Sequence, residues 1–224
     1  MADRTRLTRK PERGSGSDRA RLDALLDEAL VATVATVDEG MPWVVPVLFA
    51  RDGDRVLIHG STGAGAMRQL AQGAPAAFSV TAIDGIVVAE STFESSANYR
   101  SAVLRGTFAV LASDEASRAL DLLSNRILPG RTHEVRASLP KELAATLTLA
   151  LPIEDGSWLY KERVGPPGEP DEEHAAWCGV VPLAVTAGSP QPAPWALGPV
   201  PASVNALVAA YPAPALSDAG PGPV

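Results

Sequence analysis

The chain has 224 residues, of which 46% are hydrophobic and 20% are charged, and its formal net charge is −7. This length fits one sizeable core or two small ones, and the hydrophobic content excludes a disordered chain. The single cysteine, Cys178, excludes an internal disulfide framework and a cysteine-ligated zinc cluster.

Charge is distributed unevenly along the chain. Residues 1–22 contain seven basic and three acidic residues, a net charge of +4, so the remainder carries −11. Residues 1–17 are therefore interpreted as a basic N-terminal arm. No apolar stretch follows it, so we expect no secretory signal. Because the acidic body would repel a phosphate backbone, we expect no nucleic-acid partner.

The C-terminal segment is rich in proline and lacks charge. Residues 178–217 contain no Asp, Glu, Lys or Arg. Eight prolines interrupt this stretch, so it does not predict a membrane-spanning helix, and we expect no membrane partner. Residues 186–224 are predicted to be a Pro/Ala-rich tail that is ordered in part. Within it, Ser203 is placed to cap a short helix that ends near Ala210.

Between these ends, apolar residues change from helical to strand spacing. Asp18 is placed to cap a helix with Leu22, Leu25 and Leu26 on one face. Strands are predicted at 31–37, 43–51, 55–59, 77–81, 86–91, 101–111, 147–153, 158–163 and 179–185, and further helices at 67–71, from Ser113 or Asp114 to Ile127, and at 138–146. Asp84-Gly85 is predicted to be a turn between two of the strands. Residues 18–185 therefore predict an α+β domain, a β-barrel with two or three flanking helices.

Three short stretches carry candidate chemistry. Residues 58–70 predict a strand that opens through a Gly/Ser/Thr turn into a helix, where free N–H groups and hydroxyls can hold an anion. An ordinary connection that needs glycine for positive φ is the alternative. Residues 98–101 (NYRS) enter a long strand, and residues 177–179 (WCG) precede a late one, where Trp177 can equally be a core side chain. The histidines lie far apart and show no local metal-ligand spacing.

Together these stretches resemble the flavin-nucleotide-binding branch of the pyridoxamine 5′-phosphate oxidase-like family. The resemblance spans residues 9–183 and is carried by blocks such as VVPVLFARDGDRVLIHGST (44–62), VTAIDGIVVAEST (80–92), NYRSAVLRG (98–106), LPGR (128–131) and WCGVVPL (177–183). It implies an FMN-binding split β-barrel, usually a homodimer with two flavin mononucleotides at the subunit interface. It also implies an FMN-dependent oxidoreductase that acts on a small organic molecule. The lone thiol suits the reducing cytoplasm, which is the expected location.

The resemblance implies cofactor contacts from four places in the chain. The second strand flanks the flavin ring, the turn after the third strand holds the phosphate, the NYRS stretch lies close to the cofactor, and an aromatic side chain reaches it from the other subunit. The corresponding residues are Pro46, Val47 and Leu48; His59, Gly60, Ser61 and Thr62; Asn98, Tyr99, Arg100 and Ser101; and Trp177.

Two departures from the family pattern bear on function. Ala64-Gly65 stands where the family has Ser-Arg, so the guanidinium expected at the phosphate is missing and Arg68, one helical turn later, is its expected substitute. Glu94-Ser95 stands where the family has His-His, which places a carboxylate near the substrate.

Besides a non-catalytic module that binds a flavin or another ligand without turnover, these departures leave two alternatives to a flavin enzyme. One is a haem protein with His59 or His174 as axial ligand. The other is a cofactor-free enzyme that reuses the flavin cleft, with Glu94 as the catalytic acid or base if burial favours its protonated form.

Overall fold

The computed structural model describes residues 18–169 and 176–213. The predicted basic arm and His174 lie outside the described residues. The strands are β1 (Val31–Asp38), β2 (Met41–Asp52), β3 (Arg55–Ser61), β4 (Pro75–Val88), β5 (Ser96–Thr107), β6 (Ala109–Val110), β7 (Thr146–Pro152), β8 (Trp158–Arg163) and β9 (Gly179–Pro182). The helices are α1 (Arg19–Glu28), α2 (Gly65–Ala71), α3 (Ser113–Ile127), α4 (Pro140–Ala144) and α5 (Ala202–Ala210), with a 3₁₀ turn at Arg131–His133.

The strands form one curled antiparallel sheet in the order β6-β7-β3-β2-β1-β4-β5-β8, and β9 also pairs with β4. Alternate side chains of each strand point into the curl, where Phe49 and Phe78 meet edge to face with ring centroids 5.0 Å apart. Helix α1 lays Leu22, Leu25 and Leu26 against the same core. Its N-terminus is capped by Asp18, as predicted. The expected α+β split barrel is confirmed.

A second, smaller core lies on the outside of the sheet. Ala119 and Leu123 of α3 pack there against Ala50 of β2, Leu57 of β3 and Ala150 of β7. Helix α3 therefore covers one part of the outer sheet face. None of the helices in the described part of the chain is both long and apolar enough to cross a bilayer.

The predicted turn at Asp84-Gly85 is wrong, because β4 continues through it. The β4–β5 register shifts between Ile83 and Gly85, so the two residues form a bulge within one long strand. A Cβ atom added at Gly85 would lie 3.0 Å from Val180 Cγ1 and from the carbonyl oxygen of Val181. Glycine is needed here because β9 approaches β4 closely, a tertiary contact that local turn chemistry cannot reveal.

Two helix starts also differ from expectation. Helix α3 has Ala112 at its N-cap and no capping side chain, and the helix predicted at 138–146 is shortened to α4. The tail does contain a helix, α5, but Pro201 is its N-cap. Ser203 lies in its first turn, where its backbone N–H and its hydroxyl donate to Glu134 at 2.9 and 2.5 Å. Thus a carboxylate from a different segment holds the start of α5.

Arg100 joins α1 to the sheet. Its guanidinium donates to both oxygens of Glu28 at 2.5 and 2.9 Å, and to both oxygens of Asp84 at 2.6 and 2.9 Å. These hydrogen bonds, with Glu28 the largest cause, raise the pKa of Arg100 further above its usual range and lower the pKa of Glu28. The geometry is doubly bidentate, which makes it stronger than a single surface ion pair.

Replacing Arg100 with methionine should destabilise the chain. The Arg100→Met variant leaves two carboxylates unpaired, and because Glu28 is half exposed, water screens part of the loss. We expect the free energy of unfolding to fall by about 1–2 kcal/mol, measured by urea denaturation. Arg118→Met is the control, since Arg118 is exposed and makes one 3.3 Å ion pair to Asp52. If the free energy of unfolding fell equally in both variants, Arg100 would have no special role in joining α1 to the sheet.

Candidate functional site

The outer face of the sheet carries apolar side chains that no helix covers. In the register of β1 and β2, Val31 lies opposite Leu48 and Ala35 lies opposite Val44. The side chains of Ala32 and Val34, which alternate with these, are buried in the core, so Val31 and its partners point outward. We call the exposed apolar side chains on this face the outer patch. It comprises Val31, Val44, Pro46, Leu48 and Ile83, with Val31, Val44, Leu48 and Ile83 between 43% and 56% exposed.

Successive side chains of β2 point to opposite faces of the sheet, so the three residues expected beside a flavin ring do not share one face. Pro46 and Leu48 belong to the outer patch. The side chain of Val47 points the other way and packs against the barrel core. Only Pro46 and Leu48 therefore present side chains to a ligand on this face, and any contact from Val47 would come from its backbone.

His59 lies on the same face as Leu48, just beyond the part that α3 covers. Ala50 pairs with Leu57 beneath α3, and Leu48 and His59 are each two residues further along their strands. His59 keeps an exposed surface. Partial burial still lowers the pKa of His59 below its ordinary 6.5. The imidazole is therefore mainly neutral at pH 7, with a free lone pair on one nitrogen.

The turn after β3 uses most of its own N–H groups. Thr62 N–H donates to the Ala145 carbonyl at 3.0 Å, Gly63 N–H to Ser61 Oγ at 3.1 Å, and Ala64 N–H to the Ser61 carbonyl at 3.0 Å. These three N–H groups are therefore engaged within the protein, whereas the helix start expected to offer free N–H groups is the first turn of α2, which has no side-chain cap. Within the turn itself, the exposed hydroxyl groups of Ser61 and Thr62 remain for an anion.

Gly60 and Arg68 lie beside this turn, and we call His59, the turn residues 60–62 and Arg68 the His59 corner. A Cβ atom on Gly60 would lie 2.8 Å from Met67 Cγ, so glycine here lets α2 pack closely on β3. Arg68, on the second turn of α2, is exposed and forms no salt bridge with the described residues. It is the cation nearest in sequence to the Ala64-Gly65 departure and is available to an incoming anion.

The NYRS stretch divides between the two faces of β5. Tyr99 pairs with Ile83 and Ser101 with Thr81, which places both on the outer face. Asn98 is buried on the inner face, where its amide donates to the Gly165 carbonyl at 3.0 Å and accepts from Arg163 at 2.7 Å. Arg100 also points inward, to Glu28 and Asp84. Both of these side chains are therefore committed to partners within the protein.

Glu94 and Trp177 are both exposed. Glu94 lies in the turn between β4 and β5, where its N–H donates to Ser91 Oγ at 3.2 Å. Because its side chain faces solvent in the single chain, the burial on which its acid–base role depended is absent. Trp177 is 66% exposed and its ring lies over Gly179, where an added Cβ would be 2.8 Å from the ring.

Sequence reasoning missed one polar residue beside His59. Thr148 of β7 lies directly opposite His59 in the register and is 2% exposed. Its Oγ1 has no hydrogen-bond partner among the described residues. Only the pairing of β3 with β7 brings Thr148 next to His59, and the sequence does not show this pairing because the two residues are more than 80 positions apart.

A separate groove of about 600 Å³ lies at the other end of β1 and β2. Val37, Pro42 and Arg105 are among its lining residues. The Val37–Pro42 pair is six residues from the Val31–Leu48 pair, roughly 20 Å along the strands. This groove is therefore not part of the His59 corner. In the described residues, no group of three His, Cys, Asp or Glu side chains is arranged to hold a metal ion.

Comparison with known proteins places this arrangement in a family. A family profile described as "Pyridoxamine 5'-phosphate oxidase" matches residues 18–158. No match was found among curated proteins. Among solved structures, the chain is 52% identical to the FAD and haem binding protein from Mycobacterium smegmatis, with a TM-score of 0.84, covering 87% of this chain and 97% of that chain.

Two further structures resemble the fold. The flavocytochrome Anf3 from Azotobacter vinelandii is 29% identical, with a TM-score of 0.83, over 92% of this chain and 96% of that one. A putative 5-nitroimidazole antibiotic resistance protein from Bacteroides thetaiotaomicron is 20% identical, with a TM-score of 0.54, over 65% and 84% of the two chains, and supports the fold alone. The profile match over more than half of the chain and the 52% identity show that this chain belongs to the pyridoxamine 5′-phosphate oxidase family.

Proposed function

We propose that the chain is a flavin-binding redox protein that holds the flavin ring against the outer patch. The observation that carries the proposal is the bare apolar patch beside the His59–Thr62 turn and Arg68. Outward-pointing Tyr99 and Ser101 border the same face. An apolar surface next to a cation and hydroxyl groups suits a ligand with a flat ring at one end and phosphate at the other.

The residues present fit a flavin, with one change from the family pattern. Ser61 and Thr62 supply hydroxyl donors, and Arg68 supplies the guanidinium that Ala64-Gly65 lacks. We propose FAD rather than the FMN implied by sequence resemblance, because the 52% identical M. smegmatis protein binds FAD. The bound flavin supplies the redox chemistry. The chain orients the ring on Pro46 and Leu48, holds the phosphate end and excludes water from one ring face.

The outer patch also supports a homodimer. A monomer that leaves this face open exposes contiguous apolar surface, which a second copy would cover. In such a dimer Trp177 is available to approach the flavin of the partner. A cytoplasmic location belongs to the same proposal, since a chain with one thiol and no disulfide suits a reducing compartment. The substrate is proposed to be a small organic molecule.

Haem is the second proposed ligand, and His59 is its axial residue. The specific observation is the exposed imidazole of His59 on the outer face beside the apolar patch, and the burial that lowers its pKa favours the unprotonated nitrogen that an iron ligand must present. Two similar proteins agree with this proposal, one an FAD and haem binding protein and the other a flavocytochrome. In the single chain Glu94 is exposed, so the cofactor-free alternative gains no support from this position.

A charged residue in the outer patch should prevent dimerisation. Val44→Asp would place a carboxylate on the face that the second copy covers. Dimerisation would then have to remove water from that carboxylate, which is unfavourable. We expect the wild-type chain to have twice the chain mass in light scattering and the variant to be monomeric. Val110→Asp is the matched control, since Val110 is similarly exposed but lies on β6. A monomeric wild-type chain would overturn the dimer.

Removing the proposed phosphate cation should weaken flavin binding. A charge-assisted contact is worth about 1.5–3 kcal/mol, so Arg68→Ala should raise the dissociation constant for FAD roughly 10- to 100-fold. The difference in the dissociation constant for FAD between wild type and Arg68→Ala should become smaller at high salt, because salt screens the contact between Arg68 and the phosphate. Fluorescence titration measures it, with Arg136→Ala, an exposed arginine already paired with Glu142, as the control. Unchanged affinity for FAD would remove Arg68 from the site.

The visible spectrum tests both proposed ligands together. We expect the purified wild-type chain to show flavin bands and a Soret band, and His59→Ala to lose the Soret band. His133→Ala, which removes another exposed histidine, should keep both. A chain that stays colourless after FAD is added and the excess removed would refute the flavin. A Soret band that survives in His59→Ala would refute the axial role, and mass spectrometry of the released flavin distinguishes FAD from FMN.

A further inference from the structure

Thr148 has a buried hydroxyl group that the protein leaves without a partner. The residue is 2% exposed, and its Oγ1 is neither hydrogen-bonded within the described residues nor open to solvent. An unsatisfied buried hydroxyl destabilises the fold, so a partner that arrives later is favoured. Its neighbour on the same strand face differs, because the Thr146 hydroxyl donates to the Glu142 carbonyl at 2.8 Å.

The side chain directly across from Thr148 is His59. The two residues pair in the β3–β7 ladder and so point to the same face, where the Cβ atoms of such a pair lie about 4.5–5.5 Å apart. Neither side chain forms a hydrogen bond within the described residues. At this spacing, rotation of the exposed imidazole can bring a ring N–H to Thr148 Oγ1.

We propose that Thr148 is a positioning residue for His59, whose ring donates one N–H to Thr148 Oγ1 and keeps its second nitrogen directed outward with its lone pair free. A histidine that binds a metal almost always donates its other N–H to a fixed acceptor, which sets the tautomer and ring orientation. Thr148 is placed to be that acceptor. This inference rests on the proposed axial role of His59.

The test compares matched hydroxyl variants of the full chain during titration with ferric haem. Thr148→Val replaces the hydroxyl with a methyl group of similar size, and Thr148→Ser keeps the hydroxyl. Loss of the hydrogen bond between a metal-binding histidine and its acceptor in the protein typically lowers the affinity for the metal 10- to 100-fold. We expect Thr148→Val to bind haem at least about tenfold more weakly than wild type, with a more positive midpoint potential, because the ligand becomes a poorer electron donor. Thr148→Ser should stay close to wild type.

Thr146→Val is the control for removing a hydroxyl from this strand face, and we expect wild-type haem affinity and potential. The unfolding temperature of cofactor-free Thr148→Val should equal or exceed that of wild type, since the lost hydroxyl had no partner, and this measurement separates positioning from misfolding. Wild-type haem binding by Thr148→Val, or an equal loss in Thr148→Ser, would overturn the inference while leaving the axial role of His59 intact. Unchanged haem binding by His59→Ala would overturn both.

Discussion

The incomplete covering of the outer sheet face is the constraint on which this structure depends. Strands β1 and β2 are apolar on both faces, and the inner face closes around the barrel core. Helix α3 covers Ala50 and Leu57, whereas Leu48 and His59 remain exposed. Burial of apolar surface is the main stabilising force in folding, so an uncovered patch marks a place where a ligand or a partner subunit binds.

The charged groups around this face have distinct roles because they have distinct partners. Arg100 lies between two carboxylates and stabilises the join between α1 and the sheet, which uses four of its five guanidinium N–H donors. Arg68 has no such partner in the described residues and remains exposed. His59 lies between these extremes, because partial burial favours its neutral form. The corner thus combines a free cation with a neutral imidazole, an arrangement suited to two different ligands.

Sequence patterns predicted most of the barrel because its signals are local. Alternating apolar residues identified the strands, and Asp18 identified the start of α1 through a hydrogen bond three residues away. Two of the errors share one physical cause, which is that a distant segment determined the local conformation. Gly85 forms a bulge because β9 packs against it, and Ser203 is held by Glu134 from 69 residues away. The same limit applies to the candidate site. The sequence identified the stretches 59–62 and 98–101, but it did not show which face of the sheet each side chain lies on.

The sequence by itself determined the family, the strand and helix order, and the departures at Ala64-Gly65 and Glu94, because each is a property of residue identity and spacing. Only the tertiary structure decided which of those residues can reach a ligand. Strand register turned Tyr99 and Ser101 outward and Asn98 and Arg100 inward, and it brought Thr148 opposite His59 from more than 80 residues away. The physical reason is that a side chain's partners are set by which strands pair and in what register, and these depend on the whole core rather than on neighbours in the chain.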